Sequence, residues 1–211
     1  FHEVARFNFL NKIINIEDEE SISTKIRRNN FELFKDLFSL YFDGIPLKVL
    51  DIGGTQEYWE MMKFTDPRFI EVTLINIDNI QVTLPNFRAI KMDAIDLDLL
   101  DIDCDIVFSH SLIEHVHHII FAQIVRCFNK PYFIQTPNKY FPMEPHFLIP
   151  MFQFMPMWLK KFMVRNSDIK NEVESIELLT KSELKRLFPN SEIYGGKILG
   201  LIQSFIIIKK Q

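Results

Sequence analysis

A buried strand that ends in an acid and two glycines is the feature that most constrains how this chain folds. The run Lys48-Val-Leu-Asp-Ile-Gly-Gly54 supplies aliphatic side chains that suit a strand packed on both faces. Gly53 and Gly54 allow the backbone to turn sharply and to approach a ligand where a Cβ would collide. In open parallel sheets, ligands bind beyond the carboxyl ends of the strands, where these glycines would lie. The run therefore predicts a nucleotide-cofactor site in an α/β fold, although a Gly-Gly pair also simply ends many strands.

Length and composition are compatible with one domain over residues 1–211. The chain has 211 residues, of which 47% are apolar, so it can bury a sizeable core. We predict four parts: a helical segment 1–46, a cofactor-binding core 47–140, an apolar lid or insert 141–170, and a C-terminal helix with an antiparallel strand pair 171–211.

Charge and cysteine usage narrow the classes of partner. The formal net charge of -4 argues against nucleic acid bound through a broad basic face, and favours a small-molecule or protein substrate. Cys104 and Cys127 lack CxxC spacing, and we interpret both as reduced core residues of a cytoplasmic protein. The sequence shows no signal-peptide pattern and no transmembrane segment.

Strand-like and helix-like segments alternate along the chain. The predicted strands span residues 48–52, 71–77, 88–92, 105–109 and 132–136, and the predicted helices span residues 22–41, 56–64 and 114–128. Such alternation predicts a mostly parallel, doubly wound sheet with helices on both faces.

The C-terminal part departs from this alternation. Thr180-Lys-Ser-Glu183 has the capping-box pattern that begins a helix. Two extended runs follow at 191–194 and 201–209, with Gly195 and Gly196 between them. Two successive strands without a helix between them predict an antiparallel pair at the sheet edge.

Two further acids follow the second and third predicted strands. Asp78 would lie beside the glycine turn, where a carboxylate accepts hydrogen bonds from both ribose hydroxyls. Asp93 would lie at the next strand end, where it can receive the exocyclic amine of an adenine. Aspartate is also a common turn residue, so each acid alone has a structural interpretation. Together with Asp51 they form a series at successive strand ends, which favours a cofactor site.

Four motifs occur in an order that resembles a known enzyme family. They are Val49-Leu-Asp-Ile-Gly-Gly54, Ile77-Asp78, Met92-Asp93-Ala94 and Asp105-Ile-Val-Phe-Ser-His-Ser-Leu-Ile-Glu-His-Val116. Over about residues 48–150 the chain resembles class I S-adenosylmethionine (SAM)-dependent methyltransferases. The tract 135–150 resembles that of a subset of bacterial small-molecule methyltransferase-like proteins.

The resemblance implies a Rossmann-like seven-stranded sheet with an antiparallel last strand, and SAM as the cofactor. It also implies a set of cofactor-binding residues: Asp51, Gly53 and Gly54 at the methionine part, Asp78 at the ribose, Asp93 and Ala94 at the adenine, and Ser109, His110 and Ser111 along the wall after the fourth strand. One departure is that Thr55 occupies the position of the usual third glycine, with Glu57 two residues later. Tyr58 and Trp59 come next, and they either pack in the core or face the cofactor's cation.

Methyl transfer from a sulfonium needs alignment and exclusion of water more than it needs reactive side chains. If a proton must leave the acceptor, a histidine is the natural base. His115 is our first candidate and His146 the second, and each also has an interpretation as a structural histidine. We predict no metal site, because the His and Glu residues near His115 lack a third clear ligand in the sequence.

The segment 147–164 is crowded with aromatic side chains and methionines. We interpret it as a lid or as the wall of a pocket for a partly apolar acceptor. The alternative roles of this segment are a homodimer contact and a membrane-surface contact.

Three classes of function remain open from the sequence. The first is a methyltransferase that acts on a small acceptor. The second is an NAD(P)-dependent oxidoreductase, although Gly53-Gly-Thr-Gln-Glu-Tyr58 lacks the GxGxxG pattern that binds a pyrophosphate. The third is a non-catalytic SAM-binding or scaffold protein.

Overall fold

Seven strands form one sheet in the order β3-β2-β1-β4-β5-β7-β6 in the computed structural model. The strands are β1 Leu47–Ile52, β2 Ile70–Asn76, β3 Phe87–Lys91, β4 Ile106–His110, β5 Tyr132–Pro137, β6 Glu192–Ile198 and β7 Leu201–Lys209. The structure describes residues 22–42, 46–65, 70–99, 102–143, 150–163, 176–198 and 200–210.

The strand directions match the fold expected from the sequence. β1 pairs in parallel with β2 and β4, and β2–β3 and β4–β5 are also parallel. β7 runs antiparallel to both β5 and β6. The mostly parallel sheet with an antiparallel last strand is therefore confirmed. β7 lies between β5 and β6, so β6 is one edge strand of the sheet and β3 is the other.

Helices cover both faces of the sheet. They are α1 Ile22–Phe42, α2 Gln56–Met61, α3 His118–Cys127, α4 Met157–Met163 and α5 Lys181–Leu187. Successive strand residues point to opposite faces, so that Val49 packs in the cluster with α1 and α2, whereas Leu50 packs in the cluster with α3 and α5. The predicted capping box of α5 is present between Thr180 and Glu183.

An aromatic layer holds α1 on the sheet. Phe34 lies 5.0 Å from Phe108, ring centre to ring centre, and Phe108 stacks on Phe133 at 5.5 Å. Phe31 meets Trp59 of α2 edge-on at 5.6 Å, and both rings are fully buried. Because such aromatic contacts combine large buried area with preferred geometry, this layer fixes the position of α1 over β4 and β5.

The predicted connection at Gly195 and Gly196 is wrong, because both glycines lie inside β6. A Cβ at Gly196 would lie 2.5 Å from Asn30 Oδ1 of α1, so the glycine makes room for that helix. Asn30 Nδ2 donates a hydrogen bond of 3.0 Å to Ser204 Oγ in β7. The turn between the strands contains Gly200 instead, whose φ is +82°.

The predicted continuous helix 114–128 is also wrong at its start. A short 3-10 turn covers Ile113–His115, Val116 is extended, and α3 begins only at His118. Glu114 is fully buried and its Oε2 accepts a hydrogen bond of 3.0 Å from Thr136 Oγ1 of β5, which holds this turn against the sheet.

The prediction that both cysteines lie in the core is wrong for Cys127. Cys104 is buried in the loop before β4, whereas Cys127 is exposed at the end of α3. The buried face of α3 consists of Phe121, Ala122, Ile124 and Val125, and Cys127 lies outside that set.

We expect the bond between Asn30 and Ser204 to stabilise the packing of α1 measurably. Asn30→Ala should lower the free energy of unfolding by about 1–3 kcal/mol, because it leaves the buried Ser204 hydroxyl without its partner. Urea unfolding measures the change. Asn29→Ala is the matched control, since Asn29 is the exposed neighbour in the same helix. Equal stabilities of the two variants would contradict this role of Asn30.

Candidate functional site

The glycine turn between β1 and α2 forms the centre of the candidate site. Gly53 has a φ of +83°, and its N–H donates a hydrogen bond of 2.7 Å to Ile75 O of β2. A Cβ at Gly53 would lie 2.9 Å from Leu112 Cδ1, and a Cβ at Gly54 would overlap the Asp51 carboxyl group. Both positions therefore require glycine, for backbone conformation in the first case and for space in the second.

Asp51 is buried directly beneath this turn. Its side chain is 1% exposed, and its Oδ2 accepts a hydrogen bond of 2.7 Å from Trp59 Nε1. Its Oδ1 is buried and has no hydrogen-bond partner among the described residues. Burial raises the pKa of Asp51 to about 7, and the bond from Trp59 offsets part of this effect. Trp59 thus packs in the core, as one of its two sequence interpretations expected.

Asn76, at the end of β2, is a site residue that sequence reasoning missed. Its Nδ2 donates to Gly54 O at 3.1 Å, and its Oδ1 accepts from the backbone N–H of Asp78 at 3.0 Å. Ile52 and Ile75 are partners in the register, so Asn76 is the first residue of β2 beyond the end of β1. The predicted ribose partner Asp78 lies two residues further and is exposed. Strand register, rather than the search for acids, is the signal that identifies Asn76.

Asp93 and Ala94 follow β3. Asp93 is half-buried, and its Oδ1 accepts a hydrogen bond of 3.1 Å from the backbone N–H of Ile95. This bond begins the 3-10 turn Ala94–Leu99, in which Ala94 is buried. Asp93 therefore has a turn-forming role in addition to its position at the end of the strand.

The two serines after Phe108 connect neighbouring strands. Ser109 is fully buried, and its Oγ donates a hydrogen bond of 2.8 Å to Ile52 O at the end of β1. Ser111 has a φ of +52°, and its Oγ donates to Gln135 Oε1 of β5 at 3.1 Å. Both hydroxyls are thus hydrogen-bonded within the protein. They lie at the carboxyl ends of the parallel strands, where the glycine turn also lies.

His110 lies between the two serines and points to the α1 face of the sheet. Its ring centre is 4.6 Å from that of Tyr58, and its Nε2 is buried without a hydrogen-bond partner among the described residues. Burial lowers the pKa of His110 to about 3, and the charge of Arg27 in α1 acts in the same direction. This histidine is therefore neutral at physiological pH.

The structure describes one of the two predicted catalytic histidines. His115 is exposed in the 3-10 turn after β4. His146 lies outside the described residues. Within the described part of the chain, no three His, Cys, Asp or Glu side chains are grouped in a way that could hold a metal ion.

The described part of the apolar insert, residues 150–163, exposes several large side chains. Phe162 and Trp158 of α4 are 81% and 71% exposed, and α4 has no buried residue. Phe152 is buried, with Lys160 Nζ 5.6 Å above its ring. Among the described residues, every helix is too short or too polar to cross a membrane.

No family model matches the chain, and no curated protein matches it significantly. Solved structures do match. The plantazolicin methyltransferase BpumL, in complex with a triazolic desmethylPZN analog and SAH, is 13% identical with a TM-score of 0.54, and the match covers 88% of this chain and 86% of that one. A SAM-dependent methyltransferase from Archaeoglobus fulgidus is 16% identical, with a TM-score of 0.53 and coverage of 86% and 93%.

A third match, the CurJ carbon methyltransferase, is 11% identical, with a TM-score of 0.59 over 86% of this chain and 53% of that one. The chain has the fold of SAM-dependent methyltransferases. This confirms the Rossmann-like seven-stranded sheet that the sequence predicts. At these identities the similarity shows the fold alone.

We expect the buried carboxyl group of Asp51 to make stability depend on pH. Its pKa is about 7 in the folded protein, against an ordinary value of 3.8. Between these values the unfolded chain releases the proton while the folded protein keeps it, so the free energy of unfolding falls as pH rises. Asp51→Asn removes this loss, which amounts to about 3 kcal/mol between about pH 4.5 and about pH 8.

Urea unfolding at both pH values measures the difference between the wild type and Asp51→Asn. Asp36→Asn, an exposed position on α1, is the control for removal of one carboxylate. A difference between the wild type and Asp51→Asn that stays constant with pH would show that Asp51 titrates normally.

Proposed function

We propose that the protein is an enzyme that transfers a methyl group in line from SAM to a small-molecule acceptor. The observation that carries the proposal is the glycine turn, where Gly53 and Gly54 lie above the buried Asp51 in a sheet with the methyltransferase fold. Asn76 bonds this turn to the tip of β2, so two strand ends meet at one site.

The residues at this edge fit the chemical groups of SAM. The ammonium group of its methionine part can donate to Asp51 Oδ1, the buried oxygen without a partner among the described residues. A nearby cation would also favour the ionised form of Asp51. Asp78 is assigned to the ribose hydroxyls, and Asp93 with Ala94 to the adenine.

The wall after β4 completes the cofactor site. We assign Ser109, His110 and Ser111 to it, and the engaged hydroxyls of the serines imply that they shape the wall through their backbone. Bound SAM supplies an activated methyl group. The chain itself aligns the acceptor and excludes water, and these effects account for most of the rate enhancement that methyl transfer needs.

His115 is the histidine that we assign as the proton acceptor. His115 is exposed just after β4, and β4 pairs with β1, the strand that leads into the glycine turn. His110 is a poor base because its pKa is about 3. His146 remains the second candidate.

We further propose that the apolar insert 141–170 covers the acceptor pocket, which favours an acceptor with an apolar part. The exposed Trp158 and Phe162 are equally available for a homodimer or a membrane-surface contact. A cytoplasmic location and the absence of a nucleic-acid partner stay predictions.

Cofactor binding is the first test of the proposal. S-adenosylhomocysteine (SAH), the demethylated product of SAM, should bind in isothermal titration calorimetry, whereas NAD and NADP should not. Asp78→Ala should weaken SAH binding by roughly 5- to 150-fold, the equivalent of about 1–3 kcal/mol for ribose hydroxyls left unpaired. The exposed neighbour Asn79 provides the control variant Asn79→Ala.

The possible outcomes separate the competing functions. Binding of NAD or NADP without SAH would favour an oxidoreductase, and binding of none of these ligands would favour a scaffold. Binding of SAH without turnover on any acceptor would favour a non-catalytic SAM-binding protein. Unchanged SAH affinity in Asp78→Ala would refute only the assignment of Asp78 to the ribose hydroxyls.

The role of His115 is tested by turnover. With SAM and a panel of small hydroxyl- and amine-bearing acceptors, His115→Ala should lower the rate of SAH release by about 100-fold or more, while SAH affinity stays unchanged. His117→Ala is the control, because His117 is exposed two residues away and its side chain makes no capping bond to α3. Equal rates in the wild type and His115→Ala would remove His115 from the mechanism.

A further inference from the structure

The short helix α4 presents an aromatic face to the solvent. Trp158 and Phe162 are one helical turn apart and therefore share a face, and they are 71% and 81% exposed. Leu159 and Lys160 lie on the other side of the helix and are half-buried. Lys160 Nζ lies 5.6 Å from the centre of the buried Phe152 ring, and this cation–π contact holds that side of α4 on the protein. The packing of α4 thus leaves its aromatic face exposed.

Other large apolar side chains of the described insert are exposed as well. They are Met151, Phe154, Met157 and Met163, each 42–51% exposed. Phe154 stacks on the exposed ring of Tyr140, with the ring centres 6.2 Å apart. Single exposed apolar residues are common on protein surfaces, but a group of them in one short segment marks a contact surface for a partner.

The charged side chains of this part of the sequence indicate the kind of partner. No aspartate or glutamate occurs between Glu144 and Asp168, whereas Lys160, Lys161 and Arg165 fall in this interval. The whole chain has a formal net charge of -4, so the insert is a basic segment of an acidic protein. Aromatic rings together with basic side chains suit a partner that is apolar inside and negatively charged at its surface, which describes a bilayer with anionic lipids.

The same charges argue against a second copy of the chain as the partner. A homodimer around a twofold axis places the same patch of both copies in contact, so Lys161 of one copy would approach Lys161 of the other. Like charges brought together at an interface are unfavourable. Anionic headgroups supply the opposite charge instead, so a membrane fits this face better than a homodimer does.

We propose that the exposed face of α4 binds the surface of a membrane that contains anionic phospholipids. α4 has seven residues and is about 10 Å long, so it lies in the plane of the interface. Trp158 and Phe162 insert between the headgroups and the acyl chains. Lys161 is exposed and follows Trp158 by three residues, so its side chain can reach the phosphate groups. The inference goes beyond the proposed function, because this contact requires neither SAM nor methyl transfer.

The fluorescence of Trp158 tests the contact directly. The chain has two tryptophans, and Trp59 is fully buried, so Trp158 is the one that reports a change at the surface. Vesicles of equimolar phosphatidylglycerol and phosphatidylcholine should shift the emission to shorter wavelength, and brominated acyl chains should quench it. Trp158→Phe should abolish both responses. Vesicles of phosphatidylcholine alone should bind more weakly by about tenfold or more.

Sedimentation with the anionic vesicles measures the contribution of each side chain. Trp158→Ala and Phe162→Ala should each weaken binding by about tenfold or more, because each removes a large apolar group from the interface. Lys161→Gln should weaken it by about fivefold, since one basic residue near an anionic surface contributes about 1 kcal/mol. Ile119→Ala on α3 and Lys185→Gln on α5 are the matched controls at exposed positions, and both should bind as the wild type does.

Three results would overturn the inference. They are a protein that stays in solution with anionic vesicles, equal binding to phosphatidylcholine vesicles, and binding that leaves the emission of Trp158 unchanged. Analytical ultracentrifugation tests the competing occupant: a dimer that Trp158→Ala dissociates, in a protein that does not bind vesicles, would make α4 a homodimer contact. Vesicle binding is measured without SAM, so its failure leaves the proposed function standing, and a failure to bind SAH leaves the membrane contact standing.

Discussion

The geometry of the candidate site depends on how the Asp51 carboxyl group is held between Trp59 and Gly54. Only glycine at position 54 leaves room for this carboxyl group, and Trp59 Nε1 fixes it through Oδ2. Asp51 Oδ1 is buried and has no hydrogen-bond partner among the described residues, and this arrangement is unfavourable for folding. Such a cost is expected at a ligand site, where the missing partner is supplied by the bound molecule.

Hydrogen bonds extend from this turn to the neighbouring strands. Gly53 N–H bonds to Ile75 O, and Asn76 Nδ2 bonds to Gly54 O, so β2 holds the turn from one side. On the other side, Ser109 of β4 bonds to Ile52 O. The glycine turn of the candidate site is therefore held by hydrogen bonds from the strands on both sides of β1.

The sequence predicts features that depend on local pattern, and it fails where packing between distant segments decides. The bounds 201–209 of β7 followed from an extended, largely apolar run and the capping box at Thr180 from residue spacing, and the structure has both. Gly196 was misread as a turn because its reason, contact with Asn30 of α1, lies far away in the sequence. Asn76 was missed because its importance comes from register with β1 and not from its charge.

The described part of the apolar insert and the α1 face of the sheet differ in the chemical groups that they present. The insert contributes exposed aromatic side chains such as Trp158, which suit an apolar group. On the α1 face, burial raises the pKa of Tyr58 and lowers that of His110, and the charge of the half-buried Arg27 opposes the first change and adds to the second. The hydroxyl of Tyr58 is therefore protonated and the His110 ring neutral on this side of the glycine turn.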